Sequence, residues 1–289
     1  MIKYITRANI DIESYDQCIT QAVNTRIYAQ STYLDIVADN WDALVLNNYE
    51  AVMLLPWRRK YGIQYIYPPN WTQQLGVFSK TQIDADLVKK FLNAIPRKFL
   101  KTTIQFNADC PLSNQTNRNN YILKLDKTYA ELFSNYRRDR KQRLKKYLTK
   151  NLEVVECNKL TDIVELFKAD YRDKADLATL DFDKLIELSK MDSLNPLILK
   201  INDSQDRLIS GALFFKDKRR IYYLFSANSK EGKNLHANSG ILDYMIQKYA
   251  ATDYTLDFEG SMIPGVASFF KSFGSEAETY VLYGKRLLG

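Results

Sequence analysis

Histidine, cysteine and long apolar runs are scarce in this chain of 289 residues, and each scarcity excludes a class of protein. His236 is the only histidine, so a histidine-rich metal site is excluded and a Ser/His/Asp triad would need this one residue as its base. The cysteines, Cys18, Cys110 and Cys157, are odd in number, far apart and without a CxxC spacing. We therefore expect reduced core cysteines, no disulfide framework and no metal.

No apolar run approaches the roughly 20 residues that cross a bilayer. The longest, residues 208–215, has the length of a strand and is interrupted by Ser210 and Gly211. The segment 1–16 lacks the apolar stretch of a secretory signal peptide. We therefore expect a cytoplasmic location and no stable membrane insertion.

The net charge of the chain is concentrated in one segment. Eight cations and one acidic residue lie between residues 134 and 150, and their net charge of +7 equals that of the whole chain. Such a basic helix attracts polyanions such as RNA, nucleotide-linked substrates or anionic lipid. A solvated helix face explains the same pattern equally well. We expect Arg137, Arg138 and Arg140 to be exposed and to bind an anionic substrate rather than to stabilise the fold.

The hydrophobic pattern shows the same order twice, three strands followed by a helix and a fourth strand. In the first half these elements are predicted at residues 43–46, 51–55, 62–67, 84–95 and 102–106. In the second half they are predicted at residues 196–201, 208–215, 220–226, 238–250 and 254–258. The starts of corresponding elements are offset by 152 to 158 residues, which indicates a duplicated unit.

Additional helices are predicted before each repeated unit. They lie at residues 14–23, 32–38, 128–149, 161–171 and 181–191. Thr128 and Glu131 have the spacing of a capping box at the start of the third of these helices. The polar loop 113–120 is the expected connection, so we predict two α/β domains at 1–120 and 121–289, with mixed, largely antiparallel sheets flanked by helices.

The stretch 255–276 contains the candidate catalytic residues. Asp257 and Glu259 alternate with apolar residues, which places both carboxylates on one side of a strand end, where either can deprotonate an amine or pair with a cation. Ser261 follows the strand and is a candidate substrate-binding residue. Lys271 lies among phenylalanines of a short helix, where its ammonium either reaches a cleft or stays at the surface.

Two loops are candidates for binding. The loop between the strand ending at 226 and the helix from 238 would present backbone N–H groups and a helix dipole to a phosphate; a plain surface turn is the alternative. Its candidate residues are Lys230, Gly232, Lys233, His236 and Asn238, with Tyr223 and Ser226 on the preceding strand. In the first half, an aromatic and amide-rich loop after a strand is predicted either to bind substrate or to pack. Its candidate residues are Tyr67, Trp71, Gln73 and Gln74.

Two segments of the second half resemble the Fem-type aminoacyltransferases. The first, at 132–156, reads LFSNYRRDRKQRLKKYLTKNLEVVE. The second, from 222, reads YYLFSANSKEGKNLHANSGILDYMIQKYAATDYTLDFEGS and is followed by FFKSFG at 269–274. The order of elements in each half is similar to the GNAT acyltransferase fold. This resemblance covers most of the chain and implies two tandem GNAT-like units.

The resemblance also implies an activity, which is acyl or aminoacyl transfer to an amine, with a cell-wall precursor among the possible acceptors. In Fem-type enzymes the counterpart of Lys271 belongs to the substrate site. The donor stays open between acyl-CoA and aminoacyl-tRNA, because the GNAT phosphate loop is replaced by NSKEGKNLHANSG at 228–240 and no long heptad arm is present. The alternative is a non-catalytic GNAT-like module that binds RNA or another polyanion through its basic helix.

Overall fold

The computed structural model describes residues 1–113, 115–170 and 179–286. By its internal contacts the chain divides into two compact units. The first unit comprises Met1–Asn119 and Thr279–Gly289, and the second comprises Asn120–Glu278. The sequence pattern predicts the boundary at residue 120 and assigns residues 279–289 to the second half.

The first unit is a mixed sheet with helices. Its helices are α1 Ile12–Gln21, α2 Ser31–Val37 and α3 Ala85–Asn93. Its strands are β1 Ile2–Thr6, β2 Asn40–Leu46, β3 Ala51–Lys60, β4 Ile63–Ile66, β5 Val77–Ser79, β6 Phe99–Phe106 and, from the end of the chain, β13 Glu276–Arg286. The strand order is β1-β2-β3-β4-β6-β13, with β5 on β3. Only β4 and β6 run parallel among these described pairs; the others are antiparallel.

The second unit repeats this arrangement. Its strands are β7 Thr116–Lys124, β8 Val155–Cys157, β9 Leu197–Asn202, β10 Leu208–Lys216, β11 Arg220–Asn228 and β12 Thr255–Asp257. Its helices are α4 Tyr129–Ser134, α5 Arg138–Leu148, α6 Thr161–Asp170, α7 Phe182–Leu188, α8 Lys230–Asn234, α9 Ala237–Tyr249 and α10 Pro264–Lys271. The strand order is β7-β12-β11-β10-β9-β8. Within this described sheet only β11 and β12 are parallel.

The predicted fold class and the repeated order of elements are confirmed. In both units an antiparallel meander of three strands leads through a helix to a fourth strand, which lies parallel to the third. This follows from the sequence because strand-length apolar runs and the amphipathic helices α3 and α9 can bury their apolar faces only by packing against one another. Each unit accordingly has its own core of buried apolar side chains.

Three sequence-predicted boundaries differ from the structure. The helix predicted at 128–149 is two helices, α4 and α5, although the capping box of Thr128 and Glu131 forms as predicted. The predicted loop 113–120 becomes strand from Thr116 onward, as the start of β7, whose later residues 122–124 pair with β12. The predicted helix 161–171 is helical to Asp170, and residue 171 lies outside the described residues.

Among the described residues, no helix combines the length and the apolar character needed to cross a membrane.

Helices α5 and α9 pack closely at a glycine. A Cβ atom at Gly240 would lie 2.2 Å from Cζ of Tyr147. Tyr147 is buried and its hydroxyl donates to the Leu152 carbonyl over 3.1 Å, so the ring cannot simply move aside. The glycine therefore sets the distance between the two helices, both of which carry residues of the site described below.

Replacing Gly240 with alanine should destabilise the second unit by about 1–3 kcal/mol, because the extra methyl overpacks the interface between α5 and α9. Denaturant unfolding measures this change. Gly284→Ala is the matched control, since a Cβ atom at Gly284 meets nothing within 4 Å. Equal stability of the two variants would contradict this account of the helix packing.

Candidate functional site

The site is built where two parallel strands separate. Strands β11 and β12 pair over only three residues, Arg220–Tyr222 against Thr255–Asp257. After Asp257 the chain turns toward β7, where the Phe258 N–H donates to the Tyr121 carbonyl over 2.9 Å. The remaining part of β11, from Tyr223 to Asn228, then lines a cavity of about 340 Å³. We call it the β11 cavity, and all its lining residues belong to the second unit.

The β11 cavity has one cationic side and one apolar side. The cationic side is formed by Arg140 and Arg143 of α5, Lys233 of α8 and the segment around His236 that enters α9. The apolar side is formed by α10, through Gly265, Val266, Phe269 and Phe270. The further lining residues are Asp170, Tyr223, Ser226, Ala227, Asn228, Gly232, Asn238 and Ser239.

Arg140 is the most unusual of these residues, because its side chain is 1% exposed. Its Nε donates to Ser272 Oγ over 2.9 Å and its Nη1 donates to Ser239 Oγ. The guanidinium carbon lies 4.5 Å and 4.7 Å from the ring centroids of Phe269 and Phe273. Among the described residues no carboxylate forms an ion pair with it. Burial lowers the pKa of Arg140 to about 10, so it remains a cation at neutral pH, with no counter-ion among the described residues.

The helix dipole of α9 adds to this positive field. The helix has 13 residues and begins after His236, whose φ of 59° turns the chain sharply into the first helical turn. The N–H groups of Ser239 and Gly240 donate to the His236 carbonyl, whereas those of Ala237 and Asn238 have no carbonyl partner among the described residues. Such N–H groups at a helix N-terminus attract anions. The pKa of His236 is lowered by burial first and by Arg143 and Arg140 next, which keeps the imidazole neutral at pH 7.

Tyr223 and Asn238 connect β11 to α9 across the cavity wall. The Tyr223 hydroxyl donates to Asn238 Oδ1 over 2.8 Å. Burial raises the pKa of Tyr223 to about 12, so the hydroxyl stays protonated and can donate. The structure thus brings together at one cavity the sequence-predicted residues Tyr223, Ser226, Lys233, His236 and Asn238.

Gly232 has a packing role that differs from the predicted one. Its N–H donates to Ser229 Oγ over 3.0 Å and is therefore already paired, although the residue lines the cavity. A Cβ atom here would lie 2.1 Å from the Ile209 carbonyl oxygen, so glycine is required for α8 to approach β10. Lys230 is exposed and lies outside the described lining, whereas Lys233 forms an ion pair with Asp170.

Asp257 is held in a buried ion network. Its carboxylate is 1% exposed and accepts from Arg220 over 2.8 Å, and Arg220 also binds Glu278 at 2.5 Å. Of the two roles predicted for Asp257, deprotonating an amine or pairing with a cation, the structure shows the pairing, and the residue lies outside the described cavity lining. The sequence pattern did not identify Arg220 on β11 as the partner.

Glu259, Ser261 and Lys271 also lie outside the described lining of the cavity. Glu259 adopts a φ of 62° and its Oε1 atom is buried, and burial raises the pKa of its carboxyl well above the usual value. Ser261 Oγ accepts from the Ile263 N–H over 3.0 Å and so shapes the turn into α10. Lys271 is exposed, with Nζ 5.4 Å from the ring centroid of Tyr121. The predicted grouping of Asp257, Glu259 and Lys271 around one cleft does not form at this cavity.

The aromatic loop of the first unit fills the place that corresponds to the β11 cavity. Leu75 pairs with Phe106 at the end of β6, where its N–H donates to the Gln105 carbonyl over 2.7 Å. Gln74 is fully buried, and its Oε1 accepts from the Ala108 N–H. A cavity of about 10 Å³ remains beside Gln73, which is room for about one water molecule.

Tyr67 and Trp71 of the same loop are tied into the first unit. The Tyr67 hydroxyl accepts from the Asp39 N–H over 3.0 Å, and the guanidinium carbon of Arg58 lies 4.0 Å from the Tyr67 ring centroid. The Trp71 carbonyl accepts from the Tyr33 hydroxyl. These contacts favour the packing interpretation of the loop, and substrate binding by it stays a prediction.

The expectation of three exposed arginines is wrong for Arg140. Arg137 and Arg138 are exposed, and Arg137 binds Asp139 and Ser268. Arg140, Leu144 and Tyr147 are all buried, and they recur at the helical spacing of one face. That spacing is the signal that distinguishes Arg140 from its neighbours in the sequence. Arg143 and Asp170 at the cavity were missed because nothing in the local pattern separates them from other charged surface residues.

Glu259 provides a test of the local structure through its pH dependence. A carboxyl whose pKa is raised in the folded state stabilises the protein below its unfolded pKa, and this stability is lost as pH rises through the folded pKa. Glu259→Gln removes the ionisable group, so its free energy of unfolding relative to wild type should increase as pH rises above about 4.5. Urea unfolding at several pH values measures this, with the exposed Glu276→Gln as control. A pH-independent difference would contradict the burial of the Glu259 carboxyl.

No family model matches the sequence, and no curated protein matches it. Solved structures do. FemX has a TM-score of 0.68 at 14% identity, covering 96% of both chains. A conserved protein of unknown function from Bacteroides thetaiotaomicron has a TM-score of 0.64 at 12% identity, and the match covers 98% of this chain and 99% of that one.

A third match is the C-terminal domain of a protein described as a lysylphosphatidylglycerol synthetase, from Agrobacterium fabrum. Its TM-score is 0.58 at 9% identity, covering 96% of this chain and 92% of that one. At such identities the likeness concerns the fold. The chain therefore has the fold of FemX, and its sequence resemblance to Fem-type proteins is confirmed at that level.

Proposed function

We propose that this protein is an N-acyltransferase that moves an acyl or aminoacyl group from acyl-CoA or aminoacyl-tRNA to an amine acceptor. The observation that carries the proposal is the buried Arg140 cation at the β11 cavity, beside the N-terminus of α9 and without a carboxylate partner among the described residues. The fold shared with FemX supports it.

The cationic side of the cavity suits the donor. Acyl-CoA and aminoacyl-tRNA both carry phosphates, and a phosphate can accept from a buried guanidinium and from first-turn N–H groups at once. A buried arginine without a counter-ion is costly in the free protein, so an anionic ligand that supplies the missing charge gains in affinity. Arg140 and Arg143 are the residues that we assign to this phosphate.

The apolar side suits the group that is transferred. Val266, Phe269 and Phe270 line it, and the Tyr223 hydroxyl lies on the β11 wall. In direct attack, the acceptor nitrogen bonds to the donor carbonyl carbon and loses a proton to a base. The bond from that carbon to the donor sulfur or ribose oxygen breaks, and the leaving atom takes up the proton to give a thiol or a hydroxyl. We assign the role of proton acceptor to neutral His236. The Tyr223 hydroxyl donates to Asn238 Oδ1 and so holds the start of α9 at the cavity wall. Glu259 and Lys271 lie outside this lining, so we assign a catalytic role to neither of them.

The acceptor is an amine, and the resemblance to Fem-type proteins favours a cell-wall precursor. The competing function is a non-catalytic module that binds RNA or another polyanion. One observation favours it, since Arg138, Lys145 and Lys146 on α5 are exposed and would contribute to binding whether or not the cavity is occupied. The two functions differ in the arginine on which binding depends. Donor binding by the transferase depends on the buried Arg140, whereas binding of a polyanion depends on exposed residues such as Arg138.

Arg140→Gln should weaken binding of the donor by about tenfold to hundredfold, since charge-assisted hydrogen bonds are lost. It should leave the melting temperature unchanged or raise it, because an uncompensated buried charge is removed. Titration of CoA thioesters and of aminoacyl-tRNA, each over a salt series, together with a thermal melt, measures both effects.

Arg138→Gln is the matched control on the exposed face of the same helix, and its donor affinity should stay close to wild type. A purely structural Arg140 would give the opposite result, a lower melting temperature with unchanged affinity. Binding of tRNA alone, with a steep salt dependence that Arg138→Gln reduces and Arg140→Gln does not, would establish the polyanion-binding module instead.

A further inference from the structure

Three exposed apolar side chains lie together at the start of α10. Met262, Ile263 and Val266 have exposed fractions of 56%, 65% and 37%. We call these three residues the apolar tip. Single exposed apolar residues are common on protein surfaces, but a group within five positions marks a contact surface. Val266 also lines the β11 cavity, so the apolar tip stands at the edge of that cavity.

Cations flank the apolar tip on two helices. On α5, Arg137 donates to Ser268 Oγ of α10 over 3.0 Å, and Arg143 lines the same cavity as Val266. The side chains of Arg137 and Arg143 are 50% and 49% exposed. On α10 itself, Lys271 is exposed at the C-terminal end.

One acidic residue offsets part of this charge. Asp139 lies 2.5 Å from Arg137 and 4.0 Å from Arg143. Since α5 carries six cations and this single acid, the surface beside the apolar tip stays positive.

We propose that the apolar tip and the exposed cations of α5 dock onto an anionic phospholipid bilayer. Apolar side chains enter the boundary between headgroups and acyl chains, while arginine and lysine stay with the lipid phosphates. RNA fits this surface less well, because single-stranded RNA is bound by aromatic side chains that stack on bases, and the tip has aliphatic ones. This docking goes beyond the proposed transfer reaction, and it places the opening of the β11 cavity at the bilayer surface.

The test is co-sedimentation of the full chain with vesicles of phosphatidylglycerol and phosphatidylcholine, compared with vesicles of phosphatidylcholine alone. We expect binding to the anionic vesicles and its loss in high salt. Ile263→Ser should weaken this binding about tenfold, since a side chain that enters the bilayer is removed. Ile263 is the N-cap of α10, where serine is favoured, so the helix should remain intact.

Tyr61→Asn is the matched control. Tyr61 is 90% exposed in the first unit with a φ of 51°, a conformation that asparagine tolerates, so its replacement should not change vesicle binding. As an independent reading, tryptophan fluorescence of Ile263→Trp should shift to the blue with anionic vesicles only.

Equal vesicle binding by wild type and Ile263→Ser, or equal binding to neutral and anionic vesicles, would overturn the proposal. So would an Ile263→Trp spectrum that anionic vesicles leave unchanged. Binding of tRNA without any binding of vesicles would assign the cationic surface to nucleic acid. None of these readings depends on catalysis, so the docking proposal and the proposed transferase activity succeed or fail separately.

Discussion

The separation of β11 from β12 is the constraint on which the site depends. Three paired residues fix the two strands together, and the buried network of Arg220, Asp257 and Glu278 holds this junction. Beyond it, β12 ends while β11 continues to Asn228, paired with β10 alone among the described strands, and its residues line the cavity. In the first unit the same space is filled by the segment around Leu75, which pairs with the end of β6. The same topology therefore leaves a cavity in the second unit, whereas a chain segment fills the corresponding space in the first unit.

The acids at the end of β12 and the cations at the cavity lie in different surroundings. At the end of β12, Asp257 belongs to a buried ion network, and Glu259 has a carboxyl whose pKa is raised by burial. At the cavity, Arg140 has no carboxylate partner among the described residues. Its guanidinium instead contacts two serine hydroxyls and two phenyl rings. Hydroxyls and π-faces orient a guanidinium without neutralising it.

The elements of the fold were predictable because they depend on local patterns. Strands β9, β10 and β11 and helix α9 lie within two or three residues of their predicted bounds, since apolar periodicity and turn residues act over a few positions. The cavity residues Tyr223, His236 and Asn238 were also predictable, as they follow from the strand-to-helix order. Strands β7 and β13 were missed, because their pairing partners are distant in sequence.

By itself, the sequence determined two α/β units of the same element order, a basic helix and a loop that leads into α9. Only the tertiary structure decided which charged residues face the cavity. Arg137, Arg138 and Arg140 are chemically alike in the sequence, yet the packing of α5 against α9 and α10 buries just the third. Likewise, the sequence does not show a partner for Asp257. The parallel register of β11 and β12 places Arg220 beside it. Burial and ion pairing result from contacts between residues that are distant in the chain. The local sequence pattern does not specify which distant residues will come into contact.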